Sequence, residues 1–210
     1  MKNSVVNTGR LLGAGLRALL VLTVLTGVLY PLAVTGVAQA LFHSAANGSE
    51  IKADGKVVGS SVIGQQGYSL RYFQPRPAQG LAENSVNTQY RLLVSGATNL
   101  AADNKDLLRQ VEDAKAKVVR DNSVPGHPVS PSDVPADAVT SSGSGLDPDI
   151  SPAYAALQVR RVAERNHLPV AAVRELVADH TEGRTLGFIG EPRVNVLELN
   201  IALKDLAARR

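Results

Sequence analysis

Apolar residues crowd the start of this chain and then thin into short, separately patterned stretches. No Asp, Glu, Lys or Arg occurs from residue 18 to 49, and residues 18–42 are apolar almost throughout. That is about 25 residues, where a helix needs roughly 20 to cross the hydrocarbon of a bilayer. Beyond this run, residues 56–65 (KVVGSSVIGQ) are rich in Val, Ile and Ser with Gly near both ends, which predicts a strand. Residues 68–73 predict a second strand, stopped by Gln74-Pro75-Arg76-Pro77. Residues 78–100 have few periodic apolar positions and read as a long loop, of the kind that is functional or docked.

Helical spacing dominates the rest. Leu107, Leu108, Val111, Ala114 and Val118 give one apolar stripe over residues 103–122. A connector rich in Pro, Gly, Ser and Asp fills residues 123–149. Ser151-Pro152 then supplies an N-cap and a first-position proline for a helix to about Asn166. Pro169 opens another through Val170, Val173, Leu176 and Val177, ending near His180. Residues 185–189 suggest a short strand, and a last helix spans residues 194–208 with Leu197, Ile201, Leu203 and Leu206 inward. The expected fold class is α+β: one N-terminal transmembrane helix, then one mixed domain of about four helices and a small sheet. The expected divisions are an arm at 1–17, the membrane helix at 18–42 and the domain at 43–210, with 43–54 as a linker.

Charge orients the membrane segment. Lys2, Arg10 and Arg17 precede it, and the positive-inside rule puts that side in the cytoplasm and residues 43–210 outside. Pro31 removes a helical hydrogen bond and predicts a kink or the exit from lipid. Ala38-Gln39-Ala40 resembles a signal-peptidase box, but cleaved signals have apolar stretches of only about 7–15 residues. A retained anchor is therefore favoured over an exported binding module released after Ala40. Thr23 and Gly27 form a small-xxx-small pair, and with Pro31 they are the candidates for helix packing in the membrane.

The net charge of +3 comes entirely from those three residues. Without them, 19 basic residues face 19 acidic ones. A neutral domain lacks the basic footprint of nucleic-acid binding. There is no cysteine, so disulfides and cysteine-ligated metals are excluded. Aromatic residues make up only 4%, so the core must be built from Val, Leu, Ile and Ala.

Familiar catalytic and ligand-binding patterns are missing. Gly55-Lys56 is followed by Val57, not the Ser or Thr of a phosphate loop. Gly143-Ser144-Gly145 completes neither a dinucleotide fingerprint nor a nucleophile elbow. His43, His127, His167 and His180 are not spaced as metal ligands, and Asp147 and Asp149 fall short of a calcium loop. An envelope enzyme using Ser144, Asp147 and His180 has no substrate to suggest it. A tethered accessory domain fits better than an enzyme.

Several segments together resemble a known family. They are Tyr30-Pro31-Leu32; Ala46-Asn47-Gly48-Ser49; Gly59-Ser60-Ser61-Val62-Ile63-Gly64-Gln65; Tyr72-Phe73-Gln74-Pro75-Arg76-Pro77; and Ser95-Gly96-Ala97-Thr98-Asn99-Leu100. After them come Val134-Pro135-Ala136-Asp137-Ala138-Val139-Thr140, Ser144-Gly145-Leu146-Asp147, Ser151-Pro152 with Ala156-Leu157-Gln158-Val159, and residues 190–200 (GEPRVNVLELN). This collinear set resembles the C subunit of potassium-transporting P-type ATPases, the KdpC family, over nearly the whole chain.

The resemblance implies an accessory subunit of a high-affinity potassium uptake pump in the inner (plasma) membrane. Its partners would be a channel-like A subunit, an ATP-hydrolysing B subunit and a small F subunit, together with membrane lipid. The family member is described as an assembly factor and catalytic chaperone that raises the B subunit's affinity for ATP. It would be non-catalytic, with no tightly bound cofactor and no metal; ATP and magnesium would act through the hydrolysing subunit. The resemblance also raises a nucleotide contact at Gln158, by analogy with the signature motif of ABC ATPases. Tyr154-Ala155-Ala156-Leu157-Gln158, however, lacks the Ser-Gly-Gly that presents backbone amides to phosphate. A helix residue bonded to a neighbouring loop is the favoured reading. Arg160-Arg161 departs from the family pattern of Pro then Arg, which puts the local helix turn in question. Gln65, Arg76, Asn99, Glu191, Arg193 and Asn195 are the candidates for subunit docking. For the segment from Gly190 to Arg193 a structural turn is favoured, with Glu191 paired to Arg193 and Asn195 capping the helix that follows.

Overall fold

A computed structural model describes residues 2–78, 82–83 and 93–209. The chain forms two compact units, residues 1–49 and 50–210.

The first unit is helical. Helix α1 (Lys2–Val24) runs into a π-helical turn (Leu25–Leu29) and on into α2 (Tyr30–Leu41). The sequence arm before residue 18 is thus part of the helix. The π turn is the local answer to Pro31, which has no N–H and whose ring would strike the carbonyl four residues back. Widening the turn moves that carbonyl away, and the Tyr30 N–H reaches Leu25 O instead. Thr26 Oγ1 adds a bond to Leu22 O (2.7 Å). Residues Val6–Leu41 form one apolar span of 36 residues. At 1.5 Å per residue it is about 54 Å long, longer than the roughly 30 Å hydrocarbon it would cross. Helix α3 (His43–Ala46) follows, and Asn47 ties it back by donating to His43 O (2.6 Å) and Gln39 Oε1 (3.0 Å).

The second unit opens with a hairpin where a linker was expected. Strands β1 (Glu50–Ala53) and β2 (Lys56–Ser60) pair antiparallel around Asp54-Gly55. Both turn residues have left-handed φ, 51° and 74°. Two positive φ values in a two-residue turn match the twist of paired strands, which is why Asp-Gly is a strong hairpin signal. Short strands β3 (Ala82–Glu83) and β4 (Leu93–Val94) also pair antiparallel. Of the loop expected at 78–100, residues 79–81 and 84–92 lie outside the described residues.

Helix α4 (Lys105–Asn122) is capped by Asn104, whose side chain accepts from the N–H groups of Asp106 and Leu107. Its stripe is inward only towards its C-terminal end: Val118 is buried, whereas Leu108 is half exposed. The connector at 123–149 contains two 3₁₀ turns, Pro131–Asp133 and Ala136–Ala138. Strand β5 (Asp149–Ile150) leads into α5 (Pro152–Arg165), which begins as its Ser-Pro start predicts. Helix α6 (Val170–Asp179), strand β6 (Thr181–Glu182), strand β7 (Arg193–Asn195) and helix α7 (Val196–Ala208) complete the chain. The three short strands form one antiparallel sheet in the order β5-β7-β6. The strand expected at 185–189 is instead a closed turn, because Thr185 and Ile189 bond each other rather than a neighbouring strand.

The core lies between α5, α6, α7 and β7, around Phe73, Val159, Val162, Val173, Val194, Leu199 and Leu203. The architecture is α+β, as the sequence indicates. Two glycines fix how the β2 hairpin arm meets it. A Cβ at Gly64 would lie 2.5 Å from the Asp147 carbonyl oxygen, and one at Gly59 would lie 2.6 Å from Leu197 Cδ2. The Gly64 contact is with backbone, which has no easy way to move aside.

Candidate functional site

Residues 68–73 read as a strand in the sequence, but among the described residues no strand pairs with them. Helix side chains take over the work of a ladder. Asn200 of α7 accepts from Phe73 N–H (2.8 Å) and donates to Phe73 O (3.0 Å). Gln158 of α5 does the same for the next residue, accepting from Gln74 N–H (2.7 Å) and donating to Gln74 O (3.1 Å). Asn166, at the C-terminal cap of α5, donates to Arg71 O (2.7 Å). Phe73 is thereby held fully buried in the core.

Arg161 stands at the centre of this clasp and is 1% exposed. Its guanidinium donates to Leu70 O, to Tyr72 O (2.9 Å), to Gln158 Oε1 (2.6 Å) and to Asn122 Oδ1 (2.8 Å). Asn122 in turn donates to Val118 O, which fixes its amide orientation. Among the described residues no carboxylate is bonded to Arg161. Burial therefore pulls its pKa down to about 10, opposed by Coulombic contributions from Tyr154 and Asp121. It remains a cation at neutral pH. The same burial pushes the Tyr154 phenol up to about 12.

The mechanism is visible in the helix pattern. Tyr154, Ala155, Gln158, Val159, Arg161 and Val162 form the buried face of α5, so Gln158 and Arg161 are polar residues on an apolar stripe. Asn200 stands likewise among Leu197, Leu199 and Leu203. Arg160 is exposed, and α5 runs past it unbroken, so the departure at Arg160-Arg161 leaves the helix intact.

The docking candidates divide into four groups. Gln65 and Arg76 hold local structure. Gln65 Nε2 donates to Val58 O (2.7 Å), and Arg76 pairs with Asp147 (2.8 Å). Asn195 caps α7 by accepting from Glu198 N–H (3.2 Å), as the sequence indicates, and donates to Ser61 O (2.9 Å). Asn99 is exposed with a left-handed φ of 53°. Glu191 does not pair with Arg193. The turn between them leads each to a different partner: Glu191 to Arg184 (2.7 Å), and Arg193 to Glu182 (2.5 Å) and Asp149 (3.2 Å). Burial, reinforced by Asp147, raises the Asp149 pKa despite Arg193. On the membrane helix, Gly27 leaves open space, its Cβ position nearest to Thr23 Cγ2 at 3.9 Å.

These structural roles fall on the segments that carry the family resemblance, and comparison with known proteins decides the matter. The family model for the K+-transporting ATPase c chain matches residues 12–205. The chain belongs to the KdpC family. Similar relatives include the potassium-transporting ATPase KdpC subunit of Streptomyces avermitilis, 71% identical over 99% of both chains. The KdpC subunit of Gemmatimonas aurantiaca is 48% identical over 92% of this chain and 94% of its own. That of Mycobacterium tuberculosis is 46% identical over 91% and 96%. KdpC membership makes this chain an accessory subunit of a potassium pump, with a candidate membrane helix at its N-terminal end.

Sequence reading missed Asn122, Asn166, Asn200, Arg161 and Asp137 as organising residues. Asp137 accepts from the Ser151 N–H (2.7 Å) and hydroxyl (2.9 Å), tying the connector to the start of α5. Polar residues inside apolar helical stripes were the available signal for Arg161 and Asn200. Gln158→Ala should destabilise the protein by about 3 kcal/mol, because it strands the Gln74 N–H and one arm of a buried cation. Arg160→Ala, on the solvent side, should change stability by less than about 0.5 kcal/mol. Urea denaturation of the full chain in detergent compares the two; equal small effects would remove Gln158 from the clasp.

Proposed function

We propose that this chain is a non-catalytic assembly subunit that acts on ATP use by its pump from a distance. Its N-terminus is cytoplasmic and its second unit extracytoplasmic, in the plasma membrane. Its partners are the channel-like A subunit, the ATP-hydrolysing B subunit and the small F subunit. It raises the ATP affinity of the hydrolysing subunit by stabilising the assembled pump, and ATP with magnesium is bound by that subunit.

The observation that carries this reading is the engagement of Gln158. Its side chain is fully buried, and both its oxygen and its nitrogen are committed to Gln74 and Arg161. A nucleotide would have to displace Phe73–Gln74 from the core to reach it. The mid-helix position also offers no free backbone amides for phosphate, since only the first turn of a helix has them. Orientation is supported by Lys2, Arg10 and Arg17 at the start of the span. A retained anchor is supported by the unbroken helix through Ala38-Gln39-Ala40.

Isothermal calorimetry of the full chain in detergent with magnesium-ATP should show no saturable binding up to millimolar nucleotide. Micromolar binding abolished by a Gln158 substitution that leaves the fold intact would contradict the proposal. Location has its own test, because the chain has no cysteine. A single cysteine at exposed Ser132 should react with an impermeant thiol reagent in intact cells, and one at Ser4 only after permeabilisation. The reverse pattern would put the second unit in the cytoplasm.

A further inference from the structure

The loop between β6 and β7 is built to present apolar side chains to solvent. Glu182 and Arg193 pair across the ends of the two strands. Above them Arg184 and Glu191 form a second ion pair at 2.7 Å. Thr185 and Ile189 then exchange two backbone hydrogen bonds, each 2.9 Å, and Gly187 N–H bonds Arg184 O at 3.0 Å. The result is a closed knob with a defined backbone. At its tip Leu186 is 80% exposed, Phe188 72% and Ile189 51%.

Two features set this tip apart from ordinary surface apolar residues. Leu186 has a φ of 55°, in the left-handed region that Gly or Asn enters with less strain. The turn thus carries a leucine at a position suited to a small or polar residue, and leaves its side chain in water. Phe188 is the second feature. Of three phenylalanines in the chain, Phe73 is buried in the core and Phe42 directly follows the membrane helix. Phe188 alone stands on the second unit's surface among the described residues. A few anchors that fill desolvated pockets carry most of the energy of a protein interface, and a turn already closed in its bound shape lowers the cost of binding.

We infer that the Leu186-Phe188-Ile189 knob anchors this chain in an apolar recess of a partner subunit of the pump. The inference rests on the reading of the chain as a pump subunit, which supplies a lasting partner. Charge argues against a lipid surface as the occupant. Arg184 and Arg193 are both neutralised by acidic partners within the loop and its base, so neither offers an unpaired charge beside the tip to anionic headgroups. Shape argues against a second copy of this chain. A two-fold interface needs the same patch to be self-complementary, and a convex tip calls for a concave partner.

Two experiments on the full-length chain in its native membrane test this. A photo-crosslinking benzoylphenylalanine at position 188 should capture another pump subunit. In parallel, the double variant Leu186→Ser, Phe188→Ser should lower the yield of co-purified pump subunits in mild detergent at least fivefold, with an unchanged unfolding midpoint. Leu108→Ser, which alters an exposed leucine of α4, should leave the yield unchanged. Crosslinks confined to lipid or to a second copy would overturn the inference, as would an unchanged yield for the double variant or an equal loss with Leu108→Ser. If the unmodified tagged chain brings down no pump subunit, the reading of the chain as a subunit fails instead.

Discussion

A guanidinium taken out of water loses several kcal/mol of hydration, which must be returned by well-placed partners. Arg161 recovers it from neutral oxygens: two backbone carbonyls, one glutamine and one asparagine. That constraint fixes a great deal at once. Residues 70–74 must run where their carbonyls can face Arg161, Asn122 must hold its oxygen inward, and Gln158 must accept from both Arg161 and Gln74. Phe73 enters the core as a consequence, between α5 and α7. Burial of the charge is only partly offset by these partners, which is why its pKa is depressed.

The clasp also explains why secondary-structure patterns describe part of this fold well and part badly. Helices α4 to α7 were legible because their stripes and caps are local: Ser151-Pro152 and Asn195 each start a helix as read from the sequence, and α4 begins within two residues of its expected start at 103. The segment 68–73 has strand composition and extended backbone needs, yet its partners are side chains from residues 84 to 127 positions away, which no local pattern encodes. The hairpin β1–β2 is a different kind of miss. Asp54-Gly55 carried the turn signal, but the polar residues before it resembled a linker. At 185–189, β-prone residues form a turn because Gly187 and a left-handed Leu186 close the backbone on itself.

The same distinction separates the candidate residues. Gln65, Asn195 and Gln158 have their side-chain amides bonded inside the unit, and Arg76 pairs there with Asp147, so they position the β2 arm, the connector and the 70–74 segment. The exposed apolar groups lie on the membrane helix, on the β2 arm at Val57, Val58, Val62 and Ile63, at Leu108 of α4, and on the knob between β6 and β7, whose Leu186 and Phe188 are the most exposed of the second unit. Each unit thus offers partners apolar surface, and the second keeps many of its polar side chains for internal order. This suits a member of the KdpC family acting through assembly.

Helix side chains hold residues 70–74 as firmly as a sheet would. Native-state hydrogen exchange of the Phe73 and Gln74 amides tests it most directly. If Asn200 and Gln158 bind those N–H groups as described, both amides should exchange only on global unfolding, with protection equal to that of the interior of α5. Exchange at rates typical of an exposed loop, while α5 stays protected, would contradict the account.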